Sequence, residues 1–186
     1  MTSAAKGSAI EEGTLGSSTL IDQLAKQGKI DARQLKGKTE KYIITIVDGK
    51  LIIAGSDRRG TIYGIYELSR QIGVSPWYYW MDVPVAKHKD IYVNNGIYTD
   101  GEPAVRYRGI FLNDEAPCLT TWVKNTFGTN YGGHKFYEKV FELLLRLKGN
   151  YIWPAMWGWA FYADDPLNSK TADDMGIMIG TSHHEP

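Results

Sequence analysis

The second half of the chain alternates strands with helices, and this alternation limits the possible folds more than any other feature. Three strand-like apolar runs occur in "RYRGIFLND", "YIWPAM" and "IMIGTS". Between them lie the amphipathic stretch "HKFYEKVFELLLRLKGN" and the segment "TADDMG", which we expect to end a second helix. This β-α-β-α-β order predicts a parallel sheet with right-handed crossovers. The residues of the long helix expected to point inward are Phe136, Val140, Leu143, Leu144 and Leu147.

Two completions of such a sheet are compatible with the sequence. One is a doubly wound sheet, and the other is a (β/α)₈ barrel, which needs about eight strands. No GxGxxG or GxxxxGK[ST] phosphate loop follows a predicted strand, so nucleotide-binding versions are disfavoured. If the fold is a barrel, these residues supply only its start.

The first hundred residues predict a small α/β sandwich. Ser17 or Ser18 can cap a helix through "STLIDQLAKQGK", "DARQLKG" is a short helical turn, and Asp48-Gly49 joins the strands of a hairpin. Asp57 can cap a helix through "RRGTIYGIYELSRQIG", and "KDIYVNNGIY" predicts another strand. The apolar residues of that helix at helical spacing are Ile62, Ile65, Leu68 and Ile72, and Gly60 and Gly64 share a face that could lie close to a sheet.

The segment "TDGEPAV" is a plausible linker, so we expect an N-terminal α/β domain over residues 1–103 and a second domain over residues 104–186. The N-terminus has no signal peptide, which leaves either a cytoplasmic protein or a chain cut from a longer one. A last strand-like run just before the C-terminus favours the second of these.

The composition argues against several classes of partner. Lysine plus arginine equals aspartate plus glutamate, at 21 each, so no electrostatic footprint for nucleic acid or an anionic membrane is expected. No apolar run approaches the roughly 20 residues needed to span a bilayer. The single cysteine, Cys118, excludes an internal disulfide and is expected to lie in a loop.

Aromatic residues are clustered in a way that favours a carbohydrate ligand. Many of the six tryptophans and twelve tyrosines lie in "PWYYWMDVP" and "YIWPAMWGWAFY". Aromatic rings fill cores, and they also stack on the C–H faces of sugar rings. Core packing explains part of both clusters, and packing between domains is the expected role of residues 77–80.

Polar and aromatic residues follow all three predicted strands of the second half. They are Asn113, Asp114 and Glu115 after the first strand, Trp153, Met156 and Trp157 after the second, and Thr181, Ser182, His183, His184 and Glu185 after the third. Parallel strands end at the same edge, so these groups predict a pocket for a polar, ring-shaped ligand.

Simpler interpretations stay open for several of these groups. Asp114 or Glu115 can cap a loop or pair with Arg108, and the segment 164–166 is expected to be a turn. No metal or cofactor is expected, because adjacent histidines point apart and no other His or Cys lies at ligand spacing.

Four segments resemble glycoside hydrolase family 115, the α-glucuronidases that remove (4-O-methyl-)glucuronic acid side chains from xylan. They are "AGSDRRGTIYGIYELSRQIGVSPWYYWMDVPV", "YRGIFLNDEAP", "HKFYEKVFELLLRLKGNYIWPAMW" and "GTSHHEP". The resemblance implies a small N-terminal α/β sandwich domain, here without its first elements. It also implies that the first three β/α units of an incomplete (β/α)₈ TIM barrel follow this domain.

The resemblance also implies roles for individual residues. Asp114 would be an essential carboxylate of an inverting acid/base mechanism, with its partner carboxylate beyond residue 186. The residues implied to bind the substrate are Asn113, Glu115, Trp157, His183 and His184.

Several wider expectations follow from the resemblance. The ligand would be glucuronoxylan or its oligosaccharides, the parent protein periplasmic or secreted and able to form a homodimer, and this chain inactive alone. A non-catalytic carbohydrate-binding α/β module, or a regulatory or structural α/β domain, are the alternatives.

Overall fold

The computed structural model describes residues 10–113, 116–154 and 158–181. These residues form two compact units, one up to Ala104 and one from Val105. Both units mix strands and helices, which confirms the predicted α/β class. In the described part of the chain no helix is both long and apolar enough to cross a membrane.

The first unit is built on a four-stranded sheet of order β1-β3-β2-β4. Strand β1 is parallel to β3, whereas β2 is antiparallel to both β3 and β4. The elements are β1 (Ile10–Thr14), α1 (Thr19–Lys26), a 3₁₀ turn (Ala32–Gln34), β2 (Tyr42–Val47), β3 (Lys50–Gly55), α2 (Arg58–Gln71) and β4 (Ile97–Tyr98). Strand β1 was not expected from the sequence, and only the end of "KDIYVNNGIY" forms a strand.

The predicted hairpin and the predicted start of α1 are confirmed. Asp48 and Gly49 have φ angles of 51° and 79°, as a tight turn between β2 and β3 requires. The Ser18 hydroxyl accepts a hydrogen bond from the backbone N–H of Ile21 at the start of α1. Helix α1 then covers one face of the sheet. The buried cluster on that face consists of Ile21, Leu24, Ile30, Leu35, Ile43, Val47, Ile52 and Ala54.

Helix α2 begins where the sequence predicts, and it buries the face of Gly60 and Gly64 that was expected to lie close to a sheet. Asp57 caps it by accepting the backbone N–H of Gly60 at 2.8 Å. The buried residues of α2 are Gly60, Thr61, Tyr63, Gly64 and Glu67. The expected apolar face is wrong, since Ile65 is 39% exposed. The face with the glycines packs against the sheet instead. A Cβ on Gly64 would lie 2.6 Å from Cγ2 of Ile53, so only glycine permits this close packing.

We predict that Gly60→Ala destabilises the first unit by about 1–3 kcal/mol. The added Cβ would collide with the backbone carbonyl oxygen of Lys41, and this collision outweighs the roughly 1 kcal/mol by which helix propensity favours alanine. Urea unfolding and hydrogen exchange in β2 and β3 measure the effect. Gly158→Ala is the control, because its added Cβ meets no atom of the described residues within 4 Å. Equal stability of the two variants would contradict the prediction.

The second unit is built on a three-stranded sheet of order β5-β6-β7. Both strand pairs are parallel, which confirms the prediction from the β-α-β-α-β pattern. The elements are β5 (Gly109–Leu112), α3 (Cys118–Phe127), α4 (His134–Arg146), β6 (Tyr151–Pro154), α5 (Phe161–Asp164), α6 (Leu167–Met175) and β7 (Met178–Ile179).

Three expectations about these helices are corrected. Helix α3 was not predicted, and the exposed Cys118 begins it rather than lying in a loop. The short α5 was also missed. Helix α4 ends at Arg146, so Leu147 lies beyond it and is 48% exposed, and Leu143 is only partly buried. Tyr137, Phe141 and Leu145 are buried on α4 instead.

The amino end of this sheet is fixed by the buried side chain of Asn150, which is 0% exposed. Its Oδ1 accepts the backbone N–H of Arg108 at 2.9 Å, and its Nδ2 donates to the carbonyl of Arg106 at 2.8 Å. The carbonyl of Arg108 accepts in turn from the backbone N–H groups of Asn150 and Tyr151. One residue therefore holds the beginning of β6 against the beginning of β5.

We predict that Asn150→Ala lowers the free energy of unfolding of the second unit by about 1–3 kcal/mol. The substitution removes the acceptor of the Arg108 backbone N–H and leaves the carbonyl of Arg106 with the longer, 3.3 Å hydrogen bond from the Arg108 guanidinium. Asn125→Ala, at an exposed position of α3, is the matched control and should change little. Denaturant titration followed by circular dichroism compares the two, and a neutral Asn150→Ala would refute the assigned role.

Candidate active site

The segments that carry the predicted site residues leave the β5-β6-β7 sheet at its carboxyl edge. The register pairs Leu112 with Pro154 and Ile152 with Ile179, so the segments after β5, β6 and β7 leave the same edge. Asn113 lies directly after β5 and is exposed. The other residues predicted for the site lie outside the described residues. They are Asp114, Glu115, Trp157, His183 and His184.

Aromatic and polar contacts connect the three strands near this edge. Trp153 lies within β6 rather than after it, and its ring meets Phe111 edge to face at 5.6 Å between centroids. The indole N–H of Trp153 donates to the carbonyl of Thr181, which follows β7. This tryptophan therefore ties the end of β7 to β6 while part of its ring stays exposed.

Beside the strand ends, a groove runs between α3 and the segment that follows β6; we call it the α3 groove. Its floor is mainly apolar, narrow and partly open to solvent. The floor is lined by Leu112, Leu119, Val123, Tyr131, Gly132, Phe136, Tyr137, Phe161 and Asp164, among others. Its mouth is lined by Ala116, Thr120, Thr121, Lys124, Asn130, Gly158 and Trp159.

The sequence did not point to most residues of the α3 groove. Trp159 belongs to an aromatic cluster that was expected to contact a sugar, so a signal for it existed. Tyr131 and Trp159 lie 6.2 Å apart between ring centroids, with their planes tilted by 46°. Thr120, Thr121 and Lys124 come together because they fall three and four residues apart on α3, a helix that was not expected.

The floor of the groove is held from beneath by Asn168 on α6, which is 0% exposed. Its Nδ2 donates to the carbonyl of Gly132 at 3.1 Å and to that of Phe161 at 2.8 Å. Both acceptors belong to residues that line the groove. Its Oδ1 is buried and has no hydrogen-bond partner within the described residues. This asparagine therefore fixes two walls of the groove relative to each other.

A second set of polar contacts connects the beginnings of α4 and α6. One carboxylate oxygen of Asp165 accepts the backbone N–H of His134 at 2.9 Å and faces its ring Nδ1 at 2.7 Å. The other oxygen accepts the backbone N–H of Leu167 at 2.9 Å. Asp165 therefore caps two helices at once, which gives the predicted turn over residues 164–166 a structural role.

The surroundings of Asp165 change its pKa in a definite direction. Partial burial acts to raise the pKa, but hydrogen bonds from the backbone and ring of His134 and from Leu167 lower it below the ordinary value of 3.8. The folded state therefore favours the charged form. Because the folded-state pKa is lowered, the resulting stability is present above the unfolded pKa and is lost as pH falls through the folded pKa.

We predict that Asp165→Asn lowers the stability of the second unit by roughly 1–2 kcal/mol at pH 7, since the cap of two helices is weakened. The difference from the unmodified chain should begin to shrink as pH falls past about 4, the ordinary pKa of the unfolded state, and should vanish only below the lowered pKa of the folded state. Urea unfolding between pH 7 and pH 3 measures this. Asp173→Asn, exposed on α6, is the control and should show no such pH-dependent difference. A constant difference at every pH would count against the charged cap.

Within the part of the chain that the structure describes, no group of three or more His, Cys, Asp or Glu side chains could hold a metal ion. The chemistry available at this edge from described residues is therefore hydrogen bonding, one lysine charge and aromatic contact. This combination suits a polar organic ligand.

Comparison with solved structures shows first the fold and then the protein family. A β-N-acetylhexosaminidase from Bacteroides fragilis NCTC 9343 aligns with 95% of this chain and 41% of that one, at 15% identity and a TM-score of 0.52. Similarity at this identity shows the α/β fold alone. A family 115 4-O-methyl-α-glucuronidase with specificity for decorated arabinogalactans aligns with 94% of this chain, at 39% identity and a TM-score of 0.84.

The sequence comparison agrees with the structural one. Residues 100–186 match the model of glycosyl hydrolase family 115. The chain therefore belongs to glycosyl hydrolase family 115, as its motifs predicted. It spans 23% of the length of the family 115 enzyme to which it was compared. No curated protein sequence matches it significantly.

Proposed function

We propose that the chain is part of a glycoside hydrolase that removes (4-O-methyl-)glucuronic acid side chains from a polysaccharide. The observation that carries this proposal is the 39% identity, over 94% of the chain, to a 4-O-methyl-α-glucuronidase. The same similarity supports the proposal that β5-β6-β7 are the first strands of a (β/α)₈ barrel. The parallel pairing and the intervening helices are compatible with it.

The proposed catalytic residue is Asp114, which comes two residues after the end of β5. In an inverting reaction one carboxyl group protonates the leaving oxygen while another activates water on the opposite face of the sugar. The two groups lie roughly 6.5–9.5 Å apart. Asp114 takes one of these roles, and its partner comes from outside this chain. The proposal is supported by the end of β5 at the carboxyl edge of a parallel sheet, two residues before Asp114 in the sequence, since such folds place their reacting groups at that edge.

The proposed ligand contacts surround Asp114 along that edge. They are Asn113, Glu115, Trp157, His183 and His184. The common exit of the segments after β5, β6 and β7 supports their grouping, since all five residues lie on those segments. Amide and imidazole groups hydrogen-bond sugar hydroxyls and the uronic carboxylate, and an indole stacks on the apolar face of the ring.

The proposed polysaccharide is glucuronoxylan, with an arabinogalactan that carries glucuronic acid as the second candidate. The structural neighbour is described as specific for decorated arabinogalactans, which gives a concrete reason to test the second. Both carry the same acidic side-chain sugar. The proposed residues recognise that sugar rather than the polymer backbone, so they are compatible with either. Periplasmic or extracellular location of the whole protein belongs to the same proposal.

We expect the full-length protein to release (4-O-methyl-)glucuronic acid and Asp114→Asn to reduce that release by about 10²–10⁴-fold, because one step of acid–base catalysis is lost. Chromatography of the acid released from glucuronoxylan and from arabinogalactan measures the rate and the preferred backbone. Inversion of an α-linkage predicts the β-anomer as the first product, which proton NMR observes directly. Asp173→Asn is the control and should retain full activity.

The 186-residue chain alone should release no acid, since it spans only 23% of the length of the active neighbour. Release of glucuronic acid by the 186-residue chain alone would contradict the proposal that its partner carboxylate lies outside this chain. Polysaccharide binding by the full-length protein without any release, unchanged by Asp114→Asn, would favour a carbohydrate-binding module instead. Production of the α-anomer first would refute the inverting mechanism.

A further inference from the structure

We infer that the α3 groove is a subsite for the carboxylate of an acidic sugar, with Lys124 as the ion-pairing residue. The inference rests on the proposed function, which supplies a uronic acid as the ligand class. It concerns the groove mouth, where Lys124 of α3 lies together with residues of the segments after β5 and β6, and it assigns a role to Lys124 that the proposed function does not include.

Among the described residues, the side-chain charge of the groove mouth is positive. Lys124 is exposed and, among the described residues, is the ionisable side chain that lines the mouth. Its ammonium group makes no ion pair or hydrogen bond with the described residues. Asp164 lines the floor, where its carboxylate accepts the backbone N–H of Ala160 at 2.6 Å. A ligand with a single negative charge therefore finds one available cation in the mouth.

The remaining polar groups of the mouth are neutral and also available. The side chains of Thr120, Thr121 and Asn130 line it and form no hydrogen bond with other described residues. Hydroxyl and amide groups both donate and accept, as the hydroxyls of a sugar require. Available donors and acceptors that face one space, together with one lysine, match a hydroxylated monoanion better than a phosphate, which usually engages arginines or a helix N-terminus.

The aromatic wall adds the apolar half of sugar recognition. Trp159 lines both the floor and the mouth, and Tyr131 lies beside it at 6.2 Å between centroids. The C–H face of a pyranose can pack on such rings while its equatorial hydroxyls point to polar side chains. Asn168 holds the carbonyls of Gly132 and Phe161, so the wall is positioned before a ligand arrives.

Binding of sodium glucuronate and of neutral methyl glucoside to the isotope-labelled 186-residue chain tests the inference by NMR titration. We expect glucuronate to bind more tightly and to shift the signals of the Lys124 and Trp159 region. Lys124→Gln should weaken glucuronate binding by roughly 5–20-fold, as expected for loss of a charge-assisted hydrogen bond, and leave methyl glucoside binding unchanged. Lys124→Arg should restore most of the affinity, and added salt should weaken glucuronate binding in the unmodified chain.

The matched control is Lys135→Gln, which removes an exposed lysine of α4 that does not line the groove. It should bind both sugars as the unmodified chain does. Equal binding by Lys124→Gln and Lys135→Gln, or no preference for glucuronate over methyl glucoside, would overturn the inference.

Activity of the full-length protein separates failure of the subsite from failure of the proposed function. If the full-length Lys124→Gln variant releases glucuronic acid at the unmodified rate at every substrate concentration, the proposed function stands and the proposed subsite is wrong. If Lys124→Gln loses glucuronate binding but the full-length protein releases no acid from either polysaccharide, the proposed subsite stands and the proposed function is wrong.

Discussion

The register of β5 against β6 depends on the buried amide of Asn150. It pairs with the backbone of Arg106 and Arg108 before either strand begins, and so decides which residues of the two strands are neighbours. Once that choice is made, the strands run in parallel to a common end, at Leu112 and Pro154. A shift of one residue would reverse the face of every side chain along β5. The position of Leu112, at the end of β5, relative to Pro154, at the end of β6, therefore follows from hydrogen bonds at the opposite edge of the sheet.

In the second unit, the residues that stabilise the sheet and the residues proposed to bind a ligand lie mainly at opposite edges. The amino edge holds backbone groups satisfied by buried side chains, whereas the carboxyl edge holds exposed polar groups, an open groove and the beginnings of helices. Asp165 is the exception, since it caps α4 and α6 beside the groove and owes its lowered pKa to that role. Through Asp165 and Asn168, a helix that forms no part of the groove surface determines where the groove walls lie.

Local signals predicted the elements that depend on local physics. Ser18 and Asp57 cap helices because their side chains accept backbone N–H groups within the next three residues, and Asp48-Gly49 turns because both residues adopt positive φ. Helix α3 escaped prediction because its N-cap, Pro117, makes no side-chain capping bond, although Leu119, Trp122 and Val123 fall at helical spacing. Gly128, with φ of 77° at its C-terminus, was the signal that could have revealed it. The sequence offered two candidate faces for α2, and the face with Gly60 and Gly64 is the buried one because glycines allow the closest packing.

The sequence by itself determined the α/β class, the parallel sheet, the family and the candidate residues around Asp114, because periodicity and motifs are properties of neighbouring positions. Only the tertiary structure decided that β1 joins the first sheet, that the glycine side of α2 is buried, and that Lys124, Asn130 and Trp159 line one groove. These are contacts between residues far apart along the chain. They arise from how elements pack, which no local pattern encodes.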